Sequence, residues 1–205
     1  MEYFLLIEHE HISKFEFEDL LPFSDPWCEK LSDIQRKKES LLARYLINEI
    51  CKKQNLGSIY ECGFKKDNKG RPYFCNHPHL FISITHSNGY VFVAASNSAL
   101  GIDFEKIDGN STEDLKIAFN HADWKTVSND VNSIFKYFSL KEAYSKMIGT
   151  GFTSEPADIQ IESLELNSHS IFFENNDSKY IFTIITLHFK PEKFLNSQFN
   201  SLHLK

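Results

Sequence analysis

No apolar run in this 205-residue chain reaches the roughly 18 residues that a membrane-crossing helix needs. The first residues, Met1 to Glu8, have no basic stretch ahead of a short apolar one, so they read as a strand and not as a secretory leader. Cysteine is sparse. Cys28, Cys51, Cys62 and Cys75 form no CxxC pair and no zinc spacing, which fits reduced thiols in a cytoplasmic protein. An overall basic excess is also missing: the formal net charge is −6, which argues against nucleic acid as a partner. No sequence repeat and no low-complexity linker divides the chain. What is abundant is phenylalanine, with 19 residues against two Trp and two Met, enough to build a substantial aromatic core.

The charge is uneven. From Cys28 to Arg71 there are 11 Lys and Arg against 6 Asp and Glu, a local excess of +5. Such a segment suits either a solvated helix face or a basic rim for a polyanion or an acidic partner.

The order of elements points to an α+β fold. A strand is expected over Glu2–Ile7. A capping box at Ser32-Asp-Ile-Gln35 opens a long helix from Asp33 to Gln54, stopped by Gly57. Ile59–Phe64 reads as a short strand, and the turn Asp67-Asn-Lys-Gly70 returns the chain to a partner strand at Tyr73. Leu80–Thr85, Tyr90–Ala95 and Leu100–Glu105 follow as three closely connected strands, expected to form an antiparallel meander. Helical material near Glu113–Phe119 precedes a stronger helix from Asn132 to Ile148, stopped by Gly149. Strands are then expected near Asp158–Leu166, Ser170–Glu174 and Tyr180–Phe189, with a turn at Asn175-Asn-Asp177. Each half therefore offers one long helix and about three strands, with a boundary near residue 100.

Three groups of residues have chemical potential. Asp103 and Glu105 stand at i and i+2 on a strand, so both carboxylates face one way. Paired carboxylates suit a Mg²⁺ ion that also binds phosphates, and the pattern equally suits a polar edge strand. Glu142 and Lys146 share a helix face at i and i+4, as an exposed ion pair also would. His86 sits in a tight turn at a strand end, where its ring can meet a phosphate or hydrogen-bond within the turn.

The order Gly70-Arg71-Pro72, Ser83-Ile-Thr-His-Ser87, Gly101-Ile-Asp-Phe-Glu-Lys106 and Phe138-Ser-Leu-Lys-Glu-Ala143, with Lys146 and Gly149, closely resembles the 4′-phosphopantetheinyl transferase superfamily. The resemblance is to its pseudo-dimeric, surfactin-synthetase-activating branch, and it spans roughly Asp33 to Phe152. The helix around Leu41-Leu-Ala-Arg44 is similar to the family's N-terminal helix. Thr85 stands where the family usually has Ser, Phe138 where it has Trp, and Arg71 where Lys is commoner.

The resemblance implies two similar α+β halves, 1–100 and 101–205, related by a pseudo-two-fold axis. Each half would pack a long helix on a three-stranded antiparallel sheet, with the site in the cleft between them. It implies transfer of 4′-phosphopantetheine from coenzyme A to a serine of an apo acyl or peptidyl carrier protein by a monomer with no membrane partner. Asp103, Glu105 and Glu142 would hold Mg²⁺, or alternatively Mn²⁺. Glu142 would help deprotonate the serine and Lys146 would act on the leaving phosphate. Arg44, Arg71, Thr85 and His86 would bind coenzyme A. Two other readings were open: a non-catalytic coenzyme A or carrier-binding module, and a metal site at Cys75, His77 and His79, interrupted by Pro78 and lacking a fourth ligand.

Overall fold

Leu41, Leu42, Leu46, Ile47 and Ile50 recur at helical spacing, and all five are buried on one face of a long helix. A computed structural model of the chain describes residues 3–150, 156–159, 167–175 and 177–199. Within them the strands are β1 (Leu5–His11), β2 (Phe64–Lys66), β3 (Pro72–Phe74), β4 (Phe81–Ser87), β5 (Tyr90–Ser96), β6 (Leu100–Ile107), β7 (Asn167–Asn175) and β8 (Ser178–Thr186). The helices are α1 (Phe17–Leu20), α2 (Pro26–Glu29), α3 (Ile34–Lys53), α4 (Thr112–Leu115), α5 (His121–Val127), α6 (Val131–Ile148) and α7 (Glu192–Phe199).

Two antiparallel sheets form, in the orders β1-β5-β4-β3-β2 and β6-β8-β7. The α+β class is as expected. The first sheet has five strands where three were expected, because the short hairpin β2–β3 is added at its edge through Tyr73 and Phe81. The main connectivity repeats. Strand, long helix, strand, strand gives the order β1-β5-β4 around α3 and again β6-β8-β7 around α6.

Strand alternation distributes the core. Val91, Val93 and Ala95 of β5 join Ile82 against α3, whereas Phe92 and Ala94 turn the other way to meet Ile102, Phe104, Phe182 and Ile184 of the second sheet. Phe92 lies 4.5 Å from Phe104 and 5.2 Å from Phe182 between ring centroids. On the far side of the second sheet, Ala143 and Met147 of α6 pack on Ile185.

The expected meander breaks at β6. The backbone of β5 is already paired with β1 and β4, so β6 pairs with β8 instead. The N–H groups on its free edge point at β4 side chains. Ser83 Oγ accepts from Ile102 N at 3.0 Å, Thr85 Oγ1 from Phe104 N at 3.0 Å, and Ser87 Oγ from Lys106 N at 3.4 Å. Hydroxyls at alternate positions thus satisfy amides that a neighbouring strand would otherwise take, those of Ile102 and Phe104 being buried.

Other boundaries move for local reasons. β1 extends to His11 because its pairing with β5 continues to Tyr90. The N-cap of α3 is Asp33, whose carboxylate accepts from Arg36 N, and not Ser32. α3 ends at Lys53, before Asn55 and Gly57, both of which adopt positive φ. The expected strand over Ile59–Phe64 is a helical turn, with Cys62 N bonded to Ser58 O. Its buried residues Ile59 and Cys62 are spaced i, i+3 and do not alternate. The Asp67–Gly70 turn forms as expected, with Asp67 Oδ1 accepting from Lys69 N and Arg71 N. α6 stops at Gly149, which takes the left-handed φ of +74°. β8 ends at Thr186, whose hydroxyl donates to Phe189 O, so the chain turns back there. The strand expected over 158–166 starts at a 3₁₀ turn, Pro156–Asp158, and residues 160–166 lie outside the described residues. No helix among the described residues is long and apolar enough to cross a membrane.

Candidate active site

α6 lies directly on β6 because Gly101 has no side chain: a Cβ there would fall 1.8 Å from Ala143 O. This close approach brings Glu142 and Lys146 over the face of β6 that carries Asp103. Lys146 Nζ is 2.7 Å from Asp103 Oδ1 and 4.0 Å from Glu142 Oε2. Asp103 is 1% exposed, and its Oδ2 is buried without a hydrogen-bond partner. Three carboxylates therefore gather around one ammonium group in a poorly solvated place.

The titration of these groups follows from that crowding. Burial, then the charge of Asp103, pushes Glu105 up to about 8. Burial also pushes Glu142 up to about 7, with Lys146 opposing the rise and Asp103 adding to it. Burial alone would lower Lys146, but the carboxylates of Asp103 and Glu142 outweigh it and raise the ammonium above its ordinary range.

The donor set fits a hard divalent cation such as Mg²⁺. All its donors are carboxylate oxygens, and Asp103 Oδ2 is a buried acceptor with no donor. As they stand, no three acidic, His or Cys side chains among the described residues are gathered to metal-ligand spacing, and Lys146 holds Asp103. Cation uptake requires Glu105 and Glu142 to give up protons. Mn²⁺ affinity is therefore expected to fall as the pH drops from about 8.5 to about 6, with proton release on binding. Titration calorimetry in buffers of different ionisation enthalpy measures both, and an affinity unchanged across that range would contradict the assignment.

Beside this group opens a cavity of about 420 Å³. Its walls come from both halves: Arg44, Arg71 and His86 from the first, Ser145, Lys146 and Gly149 from the second. Arg36, Lys66 and Lys69 add further positive charge, and Glu39 is the one acidic residue of the lining. Much of the basic segment noted in the sequence thus faces one cavity.

His86 Nδ1 is 3.2 Å from Glu39 Oε2, and its ring is about half exposed. Burial lowers the His86 pKa. Glu39 opposes that fall, and Lys146, Arg36 and Lys66 add to it. Arg71 donates from Nη2 to Met147 O at 3.1 Å, gripping the last turn of α6. A Cβ on Gly149 would meet Arg71 Nη1 at 2.7 Å, so this glycine serves the arginine's seat as well as the helix stop. Arg44 is 6% exposed and already engaged, with Nη1 2.7 Å from Asp25 Oδ2 and its guanidinium 5.0 Å over the Phe64 ring. Thr85 does not line the cavity. It is 3% exposed, and its hydroxyl serves Phe104 N and Asp103 Oδ1.

With this geometry in view, residues 99–198 match the family model described as the 4′-phosphopantetheinyl transferase superfamily. The match covers 100 of the 205 residues, and over that range the chain is similar to the superfamily. The matched range contains Asp103, Glu105, Glu142 and Lys146, the residues that β6 and α6 bring together. Over 142 residues the chain is 30% identical to the 4′-phosphopantetheinyl transferase gsp of Aneurinibacillus migulanus, covering 58% of each protein. It is 25% identical over 202 residues to the L-aminoadipate-semialdehyde dehydrogenase-phosphopantetheinyl transferase of Schizosaccharomyces pombe, covering 80% of this chain and 75% of that one.

Several residues join the site that the motifs did not single out. Trp27 is about half exposed at the cavity, with Lys66 Nζ 4.0 Å over its ring. Glu39 is buried against His86. The only sequence signal for them was their position in or beside the basic segment. Lys141, within the Lys-Glu-Ala block, is fully buried and points away from the carboxylates. Its Nζ bonds Asp123 Oδ2 at 2.9 Å and Ala118 O at 3.0 Å, fastening α5 to α6. The Cys75, His77 and His79 metal reading gains no support. Cys75 is exposed, the two rings stand edge-on with centroids 6.0 Å apart, and no metal-binding group forms among the described residues.

Proposed function

We propose that the protein transfers the 4′-phosphopantetheine arm of coenzyme A to a serine hydroxyl of an apo acyl or peptidyl carrier protein, releasing adenosine 3′,5′-bisphosphate. The observation that carries this reading is the cavity shared by both halves, lined by six Lys and Arg side chains and His86 against one acidic residue and adjoining the carboxylates around Lys146. A nucleotide with a 3′-phosphate on its ribose and a pyrophosphate joining it to the pantetheine arm matches that charge pattern.

The serine oxygen bonds to the phosphorus that carries the pantetheine arm, and the bond from that phosphorus to the bridging pyrophosphate oxygen breaks. Glu142, whose carboxyl titrates near neutrality, takes the serine proton. Lys146 stays protonated among the carboxylates and meets the charge that develops on the departing phosphate. His86 and Arg71 hold the 3′-phosphate end, and Arg44 shapes the wall, held by Asp25. Asp103, Glu105 and Glu142 would hold Mg²⁺ or Mn²⁺, which supplies charge neutralisation at the pyrophosphate when bound. Residues 1–100 and 101–205 act as two halves related by a pseudo-two-fold axis, a reading that the repeated strand order supports. A cytoplasmic monomer suffices, because one chain supplies both cavity walls.

Mass spectrometry of an apo carrier protein incubated with coenzyme A and Mg²⁺ is expected to show the gain of one phosphopantetheine group. Coenzyme A binding with no mass gain would instead favour the non-catalytic module. With 3′-dephospho-coenzyme A as the donor, His86→Ala is expected to cost less than it does with coenzyme A. Equal losses with both donors would remove the 3′-phosphate role.

A further inference from the structure

One hydroxyl on the β4 face that meets β6 does more than cap an amide. Thr85 Oγ1 accepts from Phe104 N at 3.0 Å and stands 3.3 Å from Asp103 Oδ1, to which it donates its single proton. The Ser87 hydroxyl, two residues on, accepts from Lys106 N. Ser83 occupies the equivalent rung at Ile102 N, opposite no carboxylate. Asp103 is thus given a hydroxyl donor by a strand from the other half of the molecule.

Two facts give this arrangement weight. Asp103 is almost wholly buried, so its carboxylate is oriented by protein groups and not by solvent. Lys146 and Thr85 both reach its Oδ1, leaving Oδ2 as the oxygen without a partner. A donor that fixes one oxygen of a buried carboxylate also fixes the direction of the other. Such outer partners set ligand orientation and affinity at metal sites.

We propose that Thr85 is a positioning residue for the cation-binding carboxylates, aiming Asp103 from the opposite half of the chain. This rests on the functional reading above, in which those carboxylates hold a divalent cation. It moves Thr85 from contact with coenzyme A to service of the cation ligands. On this reading the position needs a hydroxyl facing β6, which Thr supplies as Ser would.

The test is Mn²⁺ binding to the full-length protein, followed by electron paramagnetic resonance with saturating coenzyme A, alongside calorimetric binding of coenzyme A itself. Thr85→Val keeps the shape and removes the hydroxyl. It is expected to weaken Mn²⁺ binding by about 10–100-fold while leaving coenzyme A affinity unchanged. Thr85→Ser is expected to restore Mn²⁺ binding. Thr85→Ala, which also lacks the hydroxyl and is smaller, is expected to weaken it in the same direction and carries the test if Thr85→Val does not fold. Ser83→Ala, which loses an amide rung but no carboxylate contact, is expected to keep Mn²⁺ affinity. Weakened coenzyme A binding with unchanged Mn²⁺ binding in Thr85→Val would overturn the proposal. So would equal Mn²⁺ losses in Ser83→Ala and the Thr85 variant. Failure of the wild-type protein to take up Mn²⁺ would instead refute the functional reading beneath it.

Discussion

Lys146→Ala is expected to lower kcat by about 10²–10⁴-fold, with extra Mg²⁺ giving no rescue. The ammonium sits 2.7 Å from Asp103 and 4.0 Å from Glu142, so it is held ready for charge that develops only as the leaving phosphate departs. The geometry adds a second, opposite effect. Lys146 places a positive charge on the same Asp103 carboxylate that would hold a cation, so its removal is expected to tighten Mn²⁺ binding while turnover collapses. A residue that merely formed a surface ion pair would change stability by a few tenths of a kcal/mol, roughly, and leave both quantities alone. Steady-state kinetics and Mn²⁺ titration on the same preparation separate these cases, and near-wild-type turnover of a folded Lys146→Ala protein would remove the catalytic role.

Gly101→Ala is expected to be the most damaging glycine-to-alanine change among the described residues. The new Cβ would stand 1.8 Å from Ala143 O and 2.8 Å from Met147 N, both backbone atoms of α6, so no rotamer change relieves the clash. The helix must lift from β6. The cost is expected at or above the top of the ~1–3 kcal/mol range typical of overpacking. Activity is expected to fall further than stability, because lifting α6 separates Lys146 and Glu142 from Asp103. Thermal melting and turnover measured together provide the check. A variant that melts with the wild type and turns over normally would show that the close helix–strand approach is not required.

Much of this was legible in the sequence, and what was not has physical causes. α3, β4, β5 and α6 carry strong periodicity, and their limits were read to within a few residues. The shared face of Glu142 and Lys146 follows from helical spacing, and the two carboxylates of β6 follow from strand alternation. The departure of β6 from the meander was not legible, because it depends on β8, roughly eighty residues away, offering a free edge. Local spacing contains no information about that competition. The Ile59–Phe64 segment read as a strand from its apolar ends, yet Ile59 and Cys62 are buried one helical turn apart. Thr85 was assigned to a ligand because it precedes His86. Neighbours on a strand point to opposite faces, so His86 turns to the cavity and Thr85 to β6. Arg44 shows another limit of local reading: its partner Asp25 lies outside the helix that carries it.

β5 is buried along its whole length and shared between two cores, Val91, Val93 and Ala95 serving α3 while Phe92 and Ala94 serve the second sheet. Loss of either half would strip one face of this strand and expose a continuous row of apolar side chains. The two halves therefore cannot melt separately at small cost, even though their strand order repeats. They are expected to unfold as one cooperative unit, with the amides of β5 the last to exchange with solvent.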